Sequence, residues 1–161
     1  MLSRKVMDGD QKTLLAAQGY AELGMFDDAL AELCALPSDL QNSPAALEMR
    51  AAILIQARRW PDALVASEAL RQTEPTRNSG FIHAAYCLHE LGRTVEARDM
   101  LLQGPPTLHQ EATYHYNLAC YECALGQLAL ARAHLEKSFE IDKKFREFAK
   151  TDPDLKALRP R

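Results

Sequence analysis

Apolar and small residues recur along the chain at helical spacing, and the pattern restarts every 34 residues. In the registers 10–43, 44–77, 78–111 and 112–145, four positions of each first half are mostly apolar. Positions 4, 7, 8 and 11 read Thr13, Ala16, Ala17, Tyr20; Leu47, Arg50, Ala51, Leu54; Phe81, Ala84, Ala85, Leu88; and His115, Leu118, Ala119, Glu122. Spacing of i, i+3, i+4, i+7 marks one face of an α-helix. Position 15 then holds Gly24, Arg58, Gly92 or Gly126. Glycine there suits a left-handed helix end, since it has no Cβ to clash. A second apolar stretch follows, so each register predicts a helix, a turn and a helix. Positions 8 and 20 are alanine in all four registers: Ala17, Ala51, Ala85 and Ala119, then Ala29, Ala63, Ala97 and Ala131. Side-chain size at the contact sets how closely two helices approach, and these columns allow close approach.

The prolines set the helix ends. Pro61 falls in the first turn of a second helix, where its missing N–H is harmless. A proline in a helix interior costs about 3 kcal/mol. The second helices of the first and third registers must therefore stop at Pro37 and at Gly104-Pro105-Pro106, while the other two run on to Thr73 and Ile141. The segments PSDLQNS and GPPTLHQ complete the period as loops or short turns. After residue 145 the repeat ends. Phe145, Phe148 and Ala149 form one more apolar stripe, and Asp152 with Pro153 behind it can cap a further short helix. A C-terminal cap over the exposed face of the last helix pair is expected, because solenoids need a polar terminal face.

Composition strengthens the helical reading. Of 161 residues, 25 are alanine against seven glycines and eight prolines, and alanine is the best helix former. A 47% hydrophobic, 25% charged chain can bury a core. The net charge of −3 divides into −7 over residues 1–142 and +4 over 143–161, where seven basic residues mix with three acidic ones. Neither a nucleic-acid partner nor a membrane is expected from that balance. No apolar run approaches 18 residues, and none follows the opening MLSRKVMDGDQK. Four cysteines without an export signal are expected to be free thiols in the cytoplasm.

Candidate chemistry is sparse. Cys120 and Cys123 lie i, i+3 on one helix, and His83 and Cys87 lie i, i+4 on another. A metal needs several such donors converging at about 2.0–2.3 Å, and no second CxxC or HxxxH exists. No metal or other cofactor is expected. The five histidines and the serines sit at scattered repeat positions, with no nucleophile turn and no glycine-rich phosphate loop. No catalytic residues emerge, and the chain does not read as an enzyme.

A 34-residue helix–turn–helix with small residues at positions 8 and 20 and glycine at 15 resembles the tetratricopeptide repeat (TPR). Phe26 and Trp60 fill the aromatic slot two residues after the turn, Pro75 closes the second unit, and YHYNLACYECALGQLALARAHLEKSFEID is the nearest match. The resemblance covers about 136 residues and implies an all-α, right-handed α-solenoid of four units, residues 10–145. Segment 1–9 precedes it, and 146–161 follow as a cap or tail. Departures are Arg50, Arg58, His115 and Glu122.

The resemblance also implies a concave groove, lined by positions 5, 9 and 12 of the first helices, that binds a protein or peptide. Those positions hold Leu14, Gln18, Ala21; Glu48, Ala52, Ile55; Ile82, Tyr86, His89; and Tyr116, Cys120, Cys123. One of the twelve is charged, fewer than a solvated face would carry. Tyr86 and Tyr116 are the expected aromatic anchors, Ile55 and Ile82 extend the apolar floor, and His83, His89 and Glu90 supply polar edges. Asn117 alone resembles the Lys/Asn clamp by which some TPR domains hold a C-terminal carboxylate, so that ligand is not expected. The expected function is a non-enzymatic interaction module binding a peptide or partner helix as a monomer. Two alternatives are a secretion chaperone of the type III class II kind and a self-associating scaffold.

Overall fold

A computed structural model describes the backbone of residues 2–159 and the side chains from residue 9 to 159. Among the described residues every regular element is helical. Helices α1 (Leu2–Glu22) and α2 (Phe26–Cys34) form the first pair, α4 (Pro44–Gln56) and α5 (Trp60–Thr73) the second, with the short α3 (Ser38–Gln41) between them. The third pair is α6 (Asn78–Glu90) and α7 (Thr94–Leu102), and the fourth is α8 (Ala112–Ala124) and α9 (Leu128–Ile141). A 3-10 turn, Pro106–Gln110, joins those two pairs. Helix α10 (Phe145–Thr151) and a second 3-10 turn, Pro153–Leu158, follow the fourth. The chain divides into two compact units, Met1–Pro75 and Thr76–Arg161, each holding two helix pairs.

The same turn closes all four first helices. Gly24, Gly92 and Gly126 take φ of +74°, +78° and +79°, and Arg58 takes +56° in the equivalent slot. In each case the next amide reaches back five residues: Met25 to Tyr20, Arg59 to Leu54, Arg93 to Leu88 and Gln127 to Glu122, at 2.8–2.9 Å. The left-handed residue itself donates to the carbonyl three back. This is the Schellman arrangement, which satisfies the carbonyls that a helix end leaves bare. Position 15 has no side chain in three of the four turns, and Arg58 is exposed in the other. Its backbone conformation is what the repeat requires.

Packing follows the alanine columns. All eight alanines of positions 8 and 20 are fully buried. In the first unit Ala17 and Ala29 share a core with Leu33, Leu36, Ala46 and Ile53. In the second, Leu88, Leu101, Leu108 and Leu118 fill the interior. The expected proline stops are present: α2 and α7 each have nine residues, and α5 and α9 have fourteen. The two interruptions fold into short helical turns. After α2, the Gln41 side-chain amide donates to the carbonyls of Cys34 and Leu36 at 3.0 and 2.9 Å. Ser43 then caps α4 by accepting from the Ala46 amide, with Pro44 in the first turn. Helix α1 begins at Leu2, eight residues ahead of the first repeat register.

Candidate functional site

The stripe of positions 5, 9 and 12 differs between the two units. In the first unit Leu14, Glu48, Ala52 and Ile55 are half-buried, and Gln18 is exposed and donates to Glu22 at 3.0 Å. In the second, Ile82, His83, Tyr86 and His89 are half-buried and Glu90 is exposed. Tyr116, Asn117 and Cys120 are buried. Nearly the whole of α8 is buried, from Tyr114 to Cys123 without a break.

Helix α9 covers one side of α8, and the chain's own C-terminal segment covers the stripe. The 3-10 turn Pro153–Leu158 packs against α8 and α9, with Leu155 and Leu158 buried. Asp152 caps that turn as its sequence predicts, its Oδ1 accepting from the Asp154 amide at 3.0 Å. Its other oxygen accepts from the Tyr116 hydroxyl at 2.7 Å and from the Cys120 thiol at 3.9 Å. Two residues further, Asp154 meets Nε2 of His89 at 3.1 Å, and Nδ1 of His89 lies 2.9 Å from the Thr94 hydroxyl. An ionised carboxylate only accepts, so Nε2 of His89 is the donor of that pair. The Phe145 ring stands 5.1 Å from that of Tyr116. The tail thus does more than cap the last helix pair. It lies over the stripe of α8 and reaches α6, so Tyr116 and Cys120 do not line an open surface.

Between α6, α8, α10 and the final turn lies a cavity of about 520 Å³, bounded by Tyr86, His89, Glu90, Tyr116, Tyr121 and Asp154 among others. Burial pushes the Cys120 thiol up, and Asp152 and Asp154 push it further. The Tyr116 phenol is raised by burial and by its bond to Asp152. Cys87 is pushed up to about 12 by burial and then by Glu90. Thiols so shifted stay protonated at neutral pH and are poor nucleophiles. Cys120, Asp152 and Asp154 each place one donor atom within 4.8 Å of the others. Those oxygens already accept from Tyr116 and His89, so the set fits a hydrogen-bonded clasp. Cys123, expected on the same stripe, is also buried.

A second polar cluster, which repeat reasoning missed, lies on the α8–α9 contact. His115 occupies a core position and is buried. Its Nε2 pairs with the His109 carbonyl at 3.0 Å and its Nδ1 with Nδ1 of His134 at 3.3 Å. The rings stack at 5.5 Å, and Tyr114 stands edge-on to His115 at 5.0 Å. Burial lowers the pKa of both histidines. Glu122, the other departure, is buried, with one carboxylate oxygen unpartnered among the described residues.

Paired helices repeated four times, with a left-handed turn at each first-helix end and alanine at both contact columns, define the tetratricopeptide-repeat fold. Comparison with solved structures agrees. The chain is similar to TTC0263, a thermophilic TPR protein of Thermus thermophilus, with a TM-score of 0.76, 18% identity, and coverage of 92% of this chain and 80% of that one. It is similar to pilF of Pseudomonas aeruginosa, with a TM-score of 0.79, 18% identity, and coverage of 96% and 69%. YrrB, a TPR protein with an unusual peptide-binding site, matches with a TM-score of 0.65, 11% identity, and coverage of 91% and 80%. No family model matches the chain, and no curated protein matches it. Among the described residues, no helix is long and apolar enough to cross a membrane.

Proposed function

We propose that the protein is a non-enzymatic protein–protein interaction module, acting as a cytoplasmic monomer without a cofactor. Each unit offers a peptide or partner helix the face built from positions 5, 9 and 12 of its own first helices. In the first unit that face offers Leu14, Gln18, Glu48, Ala52 and Ile55. In the second it offers Ile82, His83, Tyr86, His89 and Glu90, with Tyr116, Asn117 and Cys120 beneath the C-terminal segment. The observation that carries this reading is the segment itself. A short non-α stretch, Asp152–Leu158, is held on α8 by Tyr116, by the buried Leu155 and Leu158, and by His89 of α6. A face that accepts one peptide segment through side-chain hydrogen bonds and apolar anchors has the chemistry to accept another. Peptide binding by YrrB, a protein of the same fold, supports the same direction.

Panning a random peptide library against the full chain, followed by mapping of enriched peptides with ¹⁵N amide shifts, tests it. Shifts concentrated at Leu14, Ala52, Ile55, Ile82 and Tyr86 are expected. Peptides that instead perturb only the second helices α2, α5, α7 and α9 would move the interface to the opposite face and reject this site.

A further inference from the structure

The cavity beside the C-terminal clasp has a composition that specifies a ligand charge. Its volume of about 520 Å³ lies within the range of roughly 300–1,000 Å³ usual for ligand pockets, and far exceeds what a single ion fills. Among the described residues, three carboxylates line it, Glu90, Asp152 and Asp154, and no lysine or arginine does. His89, the one basic group among those wall residues, already faces Asp154. Each carboxylate can accept about four hydrogen bonds, and the bonds that Asp154 and Asp152 make leave acceptor capacity on both. Four aromatic side chains, Tyr86, Tyr116, Tyr121 and Phe148, make up half of the remaining wall.

Tyr121 is almost wholly buried, yet among the described residues its hydroxyl has no hydrogen-bond partner. Its ring stands 4.8 Å from that of His89, on the cavity wall. Burying a hydroxyl without a partner is unfavourable, and a hydroxyl can both donate and accept. A ligand made only of donors, positively charged and tolerant of aromatic faces satisfies the carboxylates and the rings together.

We propose that this cavity binds the basic side chain, lysine or arginine, of a partner peptide. The proposal rests on the interaction-module reading and adds the chemistry of the partner. The carboxylates reject an acidic residue by like-charge repulsion and give an apolar one nothing to pair with.

The test uses the ¹⁵N-labelled full chain and four acetylated, amidated pentapeptides that differ only in the central residue: arginine, lysine, norleucine or glutamate. The basic peptides are expected to shift the amides of Tyr86, His89, Tyr121 and Asp154 in a saturable way. The norleucine and glutamate peptides should bind at least about tenfold more weakly. Glu90→Gln, on an exposed side chain, should weaken the basic peptides about tenfold while the amide spectrum stays folded, and added salt should weaken them further. The stronger of the two basic arms identifies the side chain. Equal response to norleucine overturns the proposal. So does saturable binding of zinc chloride at these amides with no response to either basic peptide. Library peptides that bind the stripe with no dependence on a basic residue would leave the interaction-module reading standing and overturn this one alone.

Discussion

At the scale of single residues, the turn position shows how a repeat tolerates a wrong side chain. Arg58 occupies the left-handed slot that glycine fills in the other three turns, at a cost of roughly 1–2 kcal/mol for a residue with a Cβ. Part of that is offset because glycine loses more freedom on folding. Arg58→Gly should therefore stabilise by about 0.5–1 kcal/mol and raise the melting temperature by about 1–4 °C. A melting scan checks it, and a decrease would mean the arginine side chain contributes more than its backbone costs. The departure was legible in the sequence, because position 15 stands out by column. The histidine pair was not, since His115 and His134 lie nineteen residues apart and only the α8–α9 contact brings them together. Both are shifted down from 6.5, chiefly by burial, with Lys137 and His109 adding repulsion to His115 and with His115 and His109 adding it to His134. A lowered folded-state value means the unfolded chain takes up protons first. This contribution to stability is complete above about pH 6.5 and is lost as pH falls through the folded values. Melting temperature should drop between about pH 7 and 5, and His134→Gln should flatten that drop. An unchanged profile in the variant would show that the acid sensitivity lies elsewhere.

Elements carry the same lesson in a different form. Boundaries were legible wherever proline, glycine or a capping aspartate sets them, as at α2, α7 and the final turn. The destination of the tail was not. Helix α8 holds one charged residue, Glu122, in thirteen, and a helix apolar all round is buried all round. That scarcity of charge reads as a face awaiting a partner, whereas Asp152, 36 residues from Tyr116, already pairs with it. Helical periodicity cannot register such a non-local clasp, because a short 3-10 segment has almost no period of its own. If the clasp depends on its apolar anchors, Leu155→Ala should cost about 2–5 kcal/mol in the cooperative unit that contains α8. The tyrosine near-ultraviolet signal should change with it as Tyr116 gains solvent. A variant with wild-type stability would show that the carboxylates alone hold the segment.

For the whole molecule, the relevant fact is the division into two compact units of two helix pairs each. Repeat proteins are stabilised by each unit's own core and by nearest-neighbour contacts, so damage should remain largely local. Ala119 is fully buried in a contact column, and enlarging it to leucine overpacks the α8–α9 pair, at a cost of about 1–3 kcal/mol. Native-state hydrogen exchange should report that loss across α8, α9 and the C-terminal segment. The amides of α1, α2 and α4 should keep most of their protection. The reciprocal change, Ala17→Leu, should weaken the α1–α2 pair and leave α8 protected. Equal loss over all helices in both variants would mean that the chain unfolds as one cooperative block. In that case a ligand on either unit would stabilise the entire chain. Local loss in each variant instead lets a partner bound on the second unit be recognised by protection confined to α6, α8 and the tail.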